Sequence, residues 1–262
     1  MTIYRARFMH TMTNYLIAHL AMADLLVCAT FLAFKERFVW SEYHKEDPFL
    51  CVLFKSQVVV WFAVNLSTAS LVLITSERYI AIVYPLHYPR FFSSWRVKFG
   101  ISGIWLLSAG LIVTQIFMPV TTADSQGCLQ DLTFNKNTAT TVYALNSVMY
   151  SIPTFAMIYC YGRILINLQC SARQLRLVNN AGHADDLIRA QRKVVNVLLM
   201  VAAIYSSVWV TMVVSNLVVL FFDSSGRSSY IVKQTYQPLI LVLNSTVNPI
   251  IYALKYKEFQ KA

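Results

Sequence analysis

The stretch NLSTASLVLITSERYIAIVYPLHYPR, Asn65 to Arg90, runs as an apolar helix down to an adjacent acid and arginine, Glu77-Arg78, followed by Tyr79. A short apolar turn, Ile80 to Leu86, comes next and carries Pro85. Charges that close a membrane helix usually snorkel to the interface as a loose cluster of Lys and Arg. Here an acid and an arginine are neighbours, an aromatic follows, and Pro-Leu comes a turn and a half later. The rest of the chain supplies the context for that arrangement.

Composition places the chain in a membrane. It is 57% hydrophobic and 13% charged, with a mean hydropathy of +0.52, whereas a soluble domain carries roughly 25% charged residues. Its 262 residues hold several membrane-length spans. Seven Gly and seven Pro exclude a low-complexity chain, and no internal repeat is visible. The net charge of +10 does not imply a nucleic-acid partner, because the basic residues lie between apolar spans. It reads instead as a bias toward the cytoplasmic membrane surface. The opening MTIYRARFMH lacks the apolar run of a signal peptide.

Six long apolar segments predict an all-α membrane protein of one domain, residues 1–262: Asn14–Phe34, Cys51–Val83, Val97–Met118, Thr140–Leu168, Lys193–Phe222 and Tyr230–Leu254. Each reaches the roughly 20 residues that a tilted helix needs to span the hydrocarbon. The alternation of a membrane barrel is missing. A short amphipathic piece, Lys255–Ala262, follows the last span. Of the 22 Lys and Arg, seven (Lys35, Arg37, Lys45, Lys55, Lys136, Arg227 and Lys233) fall on one side of these spans, and the other fifteen on the opposite side. The positive-inside rule makes the richer side cytoplasmic, and with an even number of spans both chain ends face the cytoplasm. Of five cysteines, Cys28 and Cys160 lie within helices and Cys170 is cytoplasmic. Cys51 and Cys128 share the extracellular side, the oxidising compartment, and are the expected disulfide.

Three constellations carry chemistry. Asp24 is an acid in the middle of the apolar run NYLIAHLAMADLL. A charge at that depth costs at least about 2.5–3.5 kcal/mol, so it must face other helices or water. Ser67, Asn244, Ser245 and Asn248 lie at mid-depth in their own helices. An acid ringed by hydroxyl and amide oxygens suits a small hard cation; a structural Asp that only ties helices together fits the same position. In NSTVNPIIYALKYKEF, Pro249 frees the carbonyl of Ser245, and Tyr252 follows about one turn later. Pro153 frees the carbonyl of Met149 in the same way, with Tyr161 roughly two turns on. Trp209 sits in the outer half of its helix, where a lone Trp is most often a packing or interfacial aromatic.

Taken in order and depth, these features resemble the rhodopsin-like G-protein-coupled receptors over essentially the whole chain. The matching residues are Leu20–Asp24, Cys51, Ser67, Glu77-Arg78-Tyr79, Pro85-Leu86, Trp105, Cys128, Pro153 with Tyr161, Trp209 and Asn248–Tyr252. The resemblance implies a seven-helix bundle in the plasma membrane that binds an extracellular ligand and activates a heterotrimeric G protein. It implies a sodium pocket of Asp24, Ser67, Asn244, Ser245 and Asn248, sodium being the one ion expected and no other cofactor. Arg78 would be held by Glu77 when inactive and released to the G protein when active, although adjacent helix residues pair only through bent side chains. Tyr79, Leu86, Tyr161, Pro249 and Tyr252 complete that switch, with Leu86 an apolar knob on the second cytoplasmic loop. Trp209 would floor the ligand pocket.

The sequence also departs from the family. Thr2–Tyr4 look like the last residues of the family's first helix and Arg5–Thr13 like the loop after it, so that helix is expected to be missing. The chain would then be a truncated or decoy receptor that signals poorly alone. Thr211 stands where the family has a Pro after its Trp, Cys51 lies two residues further from Arg78 than usual, and Gln191 replaces the acid that often latches Arg78.

Amine receptors of the family carry an Asp in the outer third helix; that position is Val60 here. A peptide ligand is therefore expected, with small molecules behind it. Trp61, Asn146, Met149, Trp209, Asn216, Gln234 and Gln237 are the candidate contacts beside Val60. A membrane enzyme is the competing class, but the chain has no H-E-x-x-H, G-x-S-x-G or phosphate-binding Gly loop. Its five His are scattered singly, and only Asp24 lies deep in the membrane. A transporter would show inverted halves and broken helices, and neither is visible.

Overall fold

The structure, a computed structural model, describes residues 12–35, 58–117, 136–177, 182–222 and 237–255. Every regular element among them is a helix: α1 (Met12–Lys35), α2 (Val58–Val83), the four-residue α3 (Tyr88–Phe91), α4 (Ser94–Phe117), α5 (Lys136–Leu177), α6 (Gly182–Phe222) and α7 (Gln237–Lys255). The described parts of the six expected spans all fall on helices; residues 51–57, 118 and 230–236 of those spans, and 256–262 of the expected amphipathic piece, lie outside the described residues. The helices α5 and α6 run well past the apolar stretches, because nothing in the polar flanks 169–177 and 182–192 breaks a helix. Thr13, expected in a loop, lies instead in the first turn of α1.

Contacts between helices close a ring, α1 to α2 to α5 to α6 to α7 and back to α1, with α4 packed on the outside of α2. α2 also touches α6 across the ring. That makes α2 the central element: 67% of its spanning stretch is buried, against 39% for Met12–Leu32 of α1 and Ile188–Val218 of α6. Those three stretches are long and apolar enough to cross a membrane, and Leu239–Ile251 of α7 is a shorter apolar helix. Leu16, Ile17, Leu20, Ala63, Leu71, Ile74, Met157, Ile164, Leu198 and Val201 fill the middle of the ring. Their counterparts on the outside, among them Leu25, Leu106, Phe155 and Val210, are exposed, as a lipid-facing surface requires.

Hydroxyls inside the apolar helices turn back on their own backbone. Thr30 donates to the carbonyl of Leu26, Thr75 to Leu71 and Ser206 to Ala202.

A side-chain relay ties α4 to the ring. Trp105 Nε1–H, a donor only, reaches His19 Nε2 at 3.0 Å. The His19 proton therefore sits on Nδ1, which faces Ser70 Oγ at 2.9 Å, and the Ser70 hydroxyl passes its own proton to the carbonyl of Leu66 at 2.6 Å. The chain of donors thus runs α4 to α1 to α2. Phe62 packs against Trp105, with ring centroids 5.6 Å apart. Trp105→Phe keeps an aromatic ring, though a smaller one, and removes the N–H. Interhelical hydrogen bonds in membranes average about 0.6 kcal/mol and reach about 1.7, so the melting temperature is expected to fall by about 1–7 °C. An unchanged melting curve for the purified variant would show that the relay contributes nothing.

Candidate functional site

The Glu77-Arg78 end of α2 is a closed hydrogen-bonded knot. Glu77 has no exposed surface. Its carboxylate accepts from Arg78 Nη2 and Nε, both at 2.5 Å, from Thr13 Oγ1 at 3.1 Å and from Tyr88 Oη at 2.8 Å. Arg78 Nη2 also donates to Thr13 Oγ1. The adjacent pair therefore does meet, with the guanidinium folded back over its own helix end. One carboxylate is held by α1, by its own neighbour on α2 and by α3, which enters through the turn at Pro85 and Leu86. Burial and the Glu77 carboxylate push the Tyr88 phenol up to about 12, so Tyr88 stays a donor at neutral pH. Leu86 is 92% exposed at the tip of that turn. Tyr79 lies on the neighbouring face, with ring centroids 5.8 Å from Tyr84 and 6.2 Å from Tyr159. Tyr161 is buried, with its hydroxyl 3.3 Å from Thr75 Oγ1. Tyr252 lies in α7, but its side chain is outside the described residues.

Asp24 is the second cluster. It is 1% exposed and accepts from Ser67 Oγ on Oδ1 at 2.7 Å and from Asn248 Nδ2 on Oδ2 at 2.9 Å. Ser245 reaches the same carboxylate. Asn244 stands one step off and lines a cavity of about 10 Å³ together with Val64, Ser67, Thr68, Trp209, Leu241 and Ser245. That volume is near the least that holds one water-sized occupant. Asn244 Oδ1 and Asn248 Oδ1 are buried acceptors with no partner among the described residues. Of these groups Ser67, Ser245 and Asn244 line the cavity and Asp24 and Asn248 do not. By oxygen type alone these residues suit a small hard cation such as sodium.

On the far side of that cavity the rings close up. Trp209 and Tyr150 stack at 3.6 Å between centroids, with 11° between planes, and Trp61 leans on Tyr150 at 6.3 Å. Tyr150 Oη donates to Asn65 Oδ1 at 3.0 Å. Val60 is buried beside Trp61. Met149 shares the exposed face of α5 with Val148 and Ile152, and Asn216 is half-buried on α6. The side chains of Asn146 and Gln237, all of Gln234, and Cys51 and Cys128 lie outside the described residues. Among the described cysteines, Cys28, Cys160 and Cys170 are free.

Residues 1–252 match the family described as 7 transmembrane receptor (rhodopsin family). The chain belongs to that family. It is similar to 5-hydroxytryptamine receptor 4 of Cavia porcellus, 25% identical over 95% of this chain and 69% of that one. It is also similar to trace amine-associated receptor 7e of Mus musculus, 27% identical over the whole of this chain and 74% of that one. A third relative is octopamine receptor beta-3R of Drosophila melanogaster, 32% identical over 62% of this chain and 13% of that one. The chain thus spans about two thirds of the length of the first of these. It is a rhodopsin-family receptor and a multi-pass protein of the plasma membrane.

Four residues at the receptor's clusters carry no signal that sequence reading could use. Thr13 and Tyr88 complete the Arg78 knot, Tyr150 stacks on Trp209, and Asn65 accepts the Tyr150 hydroxyl. Each is an ordinary polar or aromatic residue in an apolar segment or short loop, and only packing brings it to its partner. Asn65 stands at the head of the quoted stretch, one helical turn below Trp61, and that spacing is the only trace it leaves.

Proposed function

We propose that this receptor, on binding an extracellular ligand, opens its Arg78 end and stimulates nucleotide exchange on a heterotrimeric G protein. One observation carries this reading: Arg78 is folded back and tied to Glu77 and Thr13 at the end of the bundle where Leu86 stands exposed. A held arginine beside an exposed apolar knob is a latched contact surface. In this reading the knot is the resting state, Asp24 with Ser67, Ser245, Asn248 and Asn244 holds sodium in that state, and Tyr161 and Tyr252 steady the open one. With Gln191 in place of an acid on α6, Arg78 is held instead by the Glu77 carboxylate and by Thr13 Oγ1, both accepting from its guanidinium.

The ligand in this reading is a small aromatic molecule that enters from the end opposite Arg78 onto Trp61, Tyr150 and Trp209. The relatives named for amines favour it, while Val60 withholds the usual counter-ion for an ammonium. The peptide class comes second, carried by the neutral polar set Asn146, Asn216, Gln234 and Gln237.

The purified chain in lipid nanodiscs, mixed with heterotrimeric G protein, is expected to accelerate nucleotide exchange over empty nanodiscs. Thr13→Ala and Tyr88→Phe each remove one hydrogen bond from Glu77, worth about 0.5–1.5 kcal/mol. Ligand-free exchange should therefore rise about 2- to 10-fold if the bond is made only in the resting state. The Tyr88 effect has a pH window. The phenol's value is raised from near 10 in the unfolded chain to about 12. Its contribution is thus whole below about pH 10 and is lost as pH rises toward 12. The difference between wild type and Tyr88→Phe should accordingly stay flat from about pH 6 to 9. A chain that never accelerates exchange, or a slope in that range, counts against the reading.

A further inference from the structure

Tyr205 lies on α6 one turn before Trp209, is 2% exposed, and belongs to the apolar core of the ring. Its ring meets Trp209 with centroids 5.8 Å apart. Its hydroxyl has no hydrogen-bond partner among the described residues. The polar side chain it faces is Thr68 of α2, also buried, and no hydrogen bond closes between them in this structure. A phenol hydroxyl both donates and accepts, and one buried with neither role filled destabilises the state that buries it. The apolar neighbours alone would pack as well on a phenylalanine. Thr68 of α2 and Trp209 of α6 also line one wall each of the cavity of about 10 Å³, so the packing between these two helices has a gap beside the unpaired hydroxyl.

We infer that the Tyr205 hydroxyl is a built-in bias toward the open state: it is unpaired while Arg78 is latched, and it donates to Thr68 Oγ1 once α6 has turned. The inference rests on the receptor reading above. It makes Tyr205 a positioning residue, acting through the setting of α6 on α2 and not on the G protein itself. Two effects push in the same direction. The resting state carries the unpaired hydroxyl, and the open state gains a bond between α2 and α6. The knot at Glu77 and the Asp24 cluster hold the resting state against that push, so ligand-free activity reports the balance between them. Removing the hydroxyl therefore tightens the resting state, the opposite of what loss of a made hydrogen bond would do.

The test uses the full chain in nanodiscs, in potassium chloride so that sodium does not add to the resting state. Tyr205→Phe removes the hydroxyl and keeps the ring. Its melting temperature is expected to rise, and its ligand-free nucleotide exchange to fall at least about fivefold. Thr68→Val keeps the shape of the partner and removes its oxygen, leaving the Tyr205 hydroxyl unpaired in both states. Its exchange should fall as well, without a rise in melting temperature. In the Tyr205→Phe background, Thr68→Val should change exchange by less than about twofold, because the pair is already broken. A hydroxyl with a merely structural role would move the melting temperature alone and show no such coupling between the two positions. The proposal is overturned by an unchanged or lower melting temperature in Tyr205→Phe, by exchange that stays level or rises, or by additive effects of the two substitutions. The receptor reading fails separately: wild-type exchange would be absent, or indifferent to Arg78→Ala. The bias then falls with it, and the melting temperature of Tyr205→Phe still shows whether the hydroxyl is unpaired.

Discussion

Arg78→Ala is expected to lower G-protein nucleotide exchange by more than about 30-fold while the protein still reaches the cell surface. The magnitude is that of a central arginine contact, about 2 kcal/mol or more. Arg78 carries its guanidinium at the end of α2, tied back to Glu77 in the resting state, at the end of the bundle where Leu86 is exposed. Expression is the harder part of the expectation, because removing one partner of a buried ion pair leaves the other charge uncompensated. Glu77 is fully buried, but it keeps two donors, Thr13 Oγ1 and Tyr88 Oη, after the guanidinium is gone. Those two bonds are why the fold should survive. A double variant, Glu77→Gln with Arg78→Ala, removes the charge as well and should express at least as well as the single one, with exchange still lost. Glu77→Gln alone should do the opposite and raise ligand-free exchange, since a neutral amide holds the guanidinium less firmly. Full exchange by a surface-expressed Arg78→Ala receptor would remove Arg78 from the mechanism.

The sequence was readable wherever a residue conflicted with its surroundings. A carboxylate at Asp24 in an apolar run and an acid-arginine pair at the end of a helix each break a local rule, and each lies in a hydrogen-bonded cluster of the structure. The long helices were readable for a simpler reason: twenty apolar residues admit few other forms. What stayed hidden is pairing between helices. Thr13 reads as loop from the sequence, and its place in the first turn of α1 and its bond to Glu77 come from the packing of α1 on α2. His19 read as an isolated histidine, although it links Trp105 of α4 to Ser70 of α2. Tyr150 and Asn65 lie 85 positions apart and meet only because α5 packs on α2. Depth along a helix can be counted from the sequence. Rotation about the helix axis has to come from packing, and in lipid the pattern that would fix it is weak, because the outward face is as apolar as the inward one.

That same distinction bears on Asp24, whose depth the sequence fixes and whose partners the packing supplies. Ligand-free nucleotide exchange is expected to fall when sodium chloride replaces potassium chloride at constant ionic strength, and Asp24→Asn is expected to abolish that response. Asp24 gathers Ser67 from α2 and Ser245 and Asn248 from α7 onto one carboxylate. A cation there draws three helices together, so it favours whichever state keeps them close. It can bias the equilibrium only by its difference in affinity between the two states. At ten times its dissociation constant for the resting state, and with no affinity for the open one, it stabilises the former by about 1.4 kcal/mol. That corresponds to roughly a tenfold fall in exchange. In Asp24→Asn the charge is lost, while an oxygen remains for the Ser67 hydroxyl. The new amide also sets a donor against Asn248 Nδ2, which must turn its own Oδ1 inward. Asn248 Oδ1 has no partner among the described residues in the wild type, so that rotation uses a free acceptor rather than breaking a bond. The variant should therefore fold, exchange nucleotide in potassium, and give the same rate in sodium. A sodium response that survives in Asp24→Asn would leave Asp24 as a tie between helices and place the ion elsewhere.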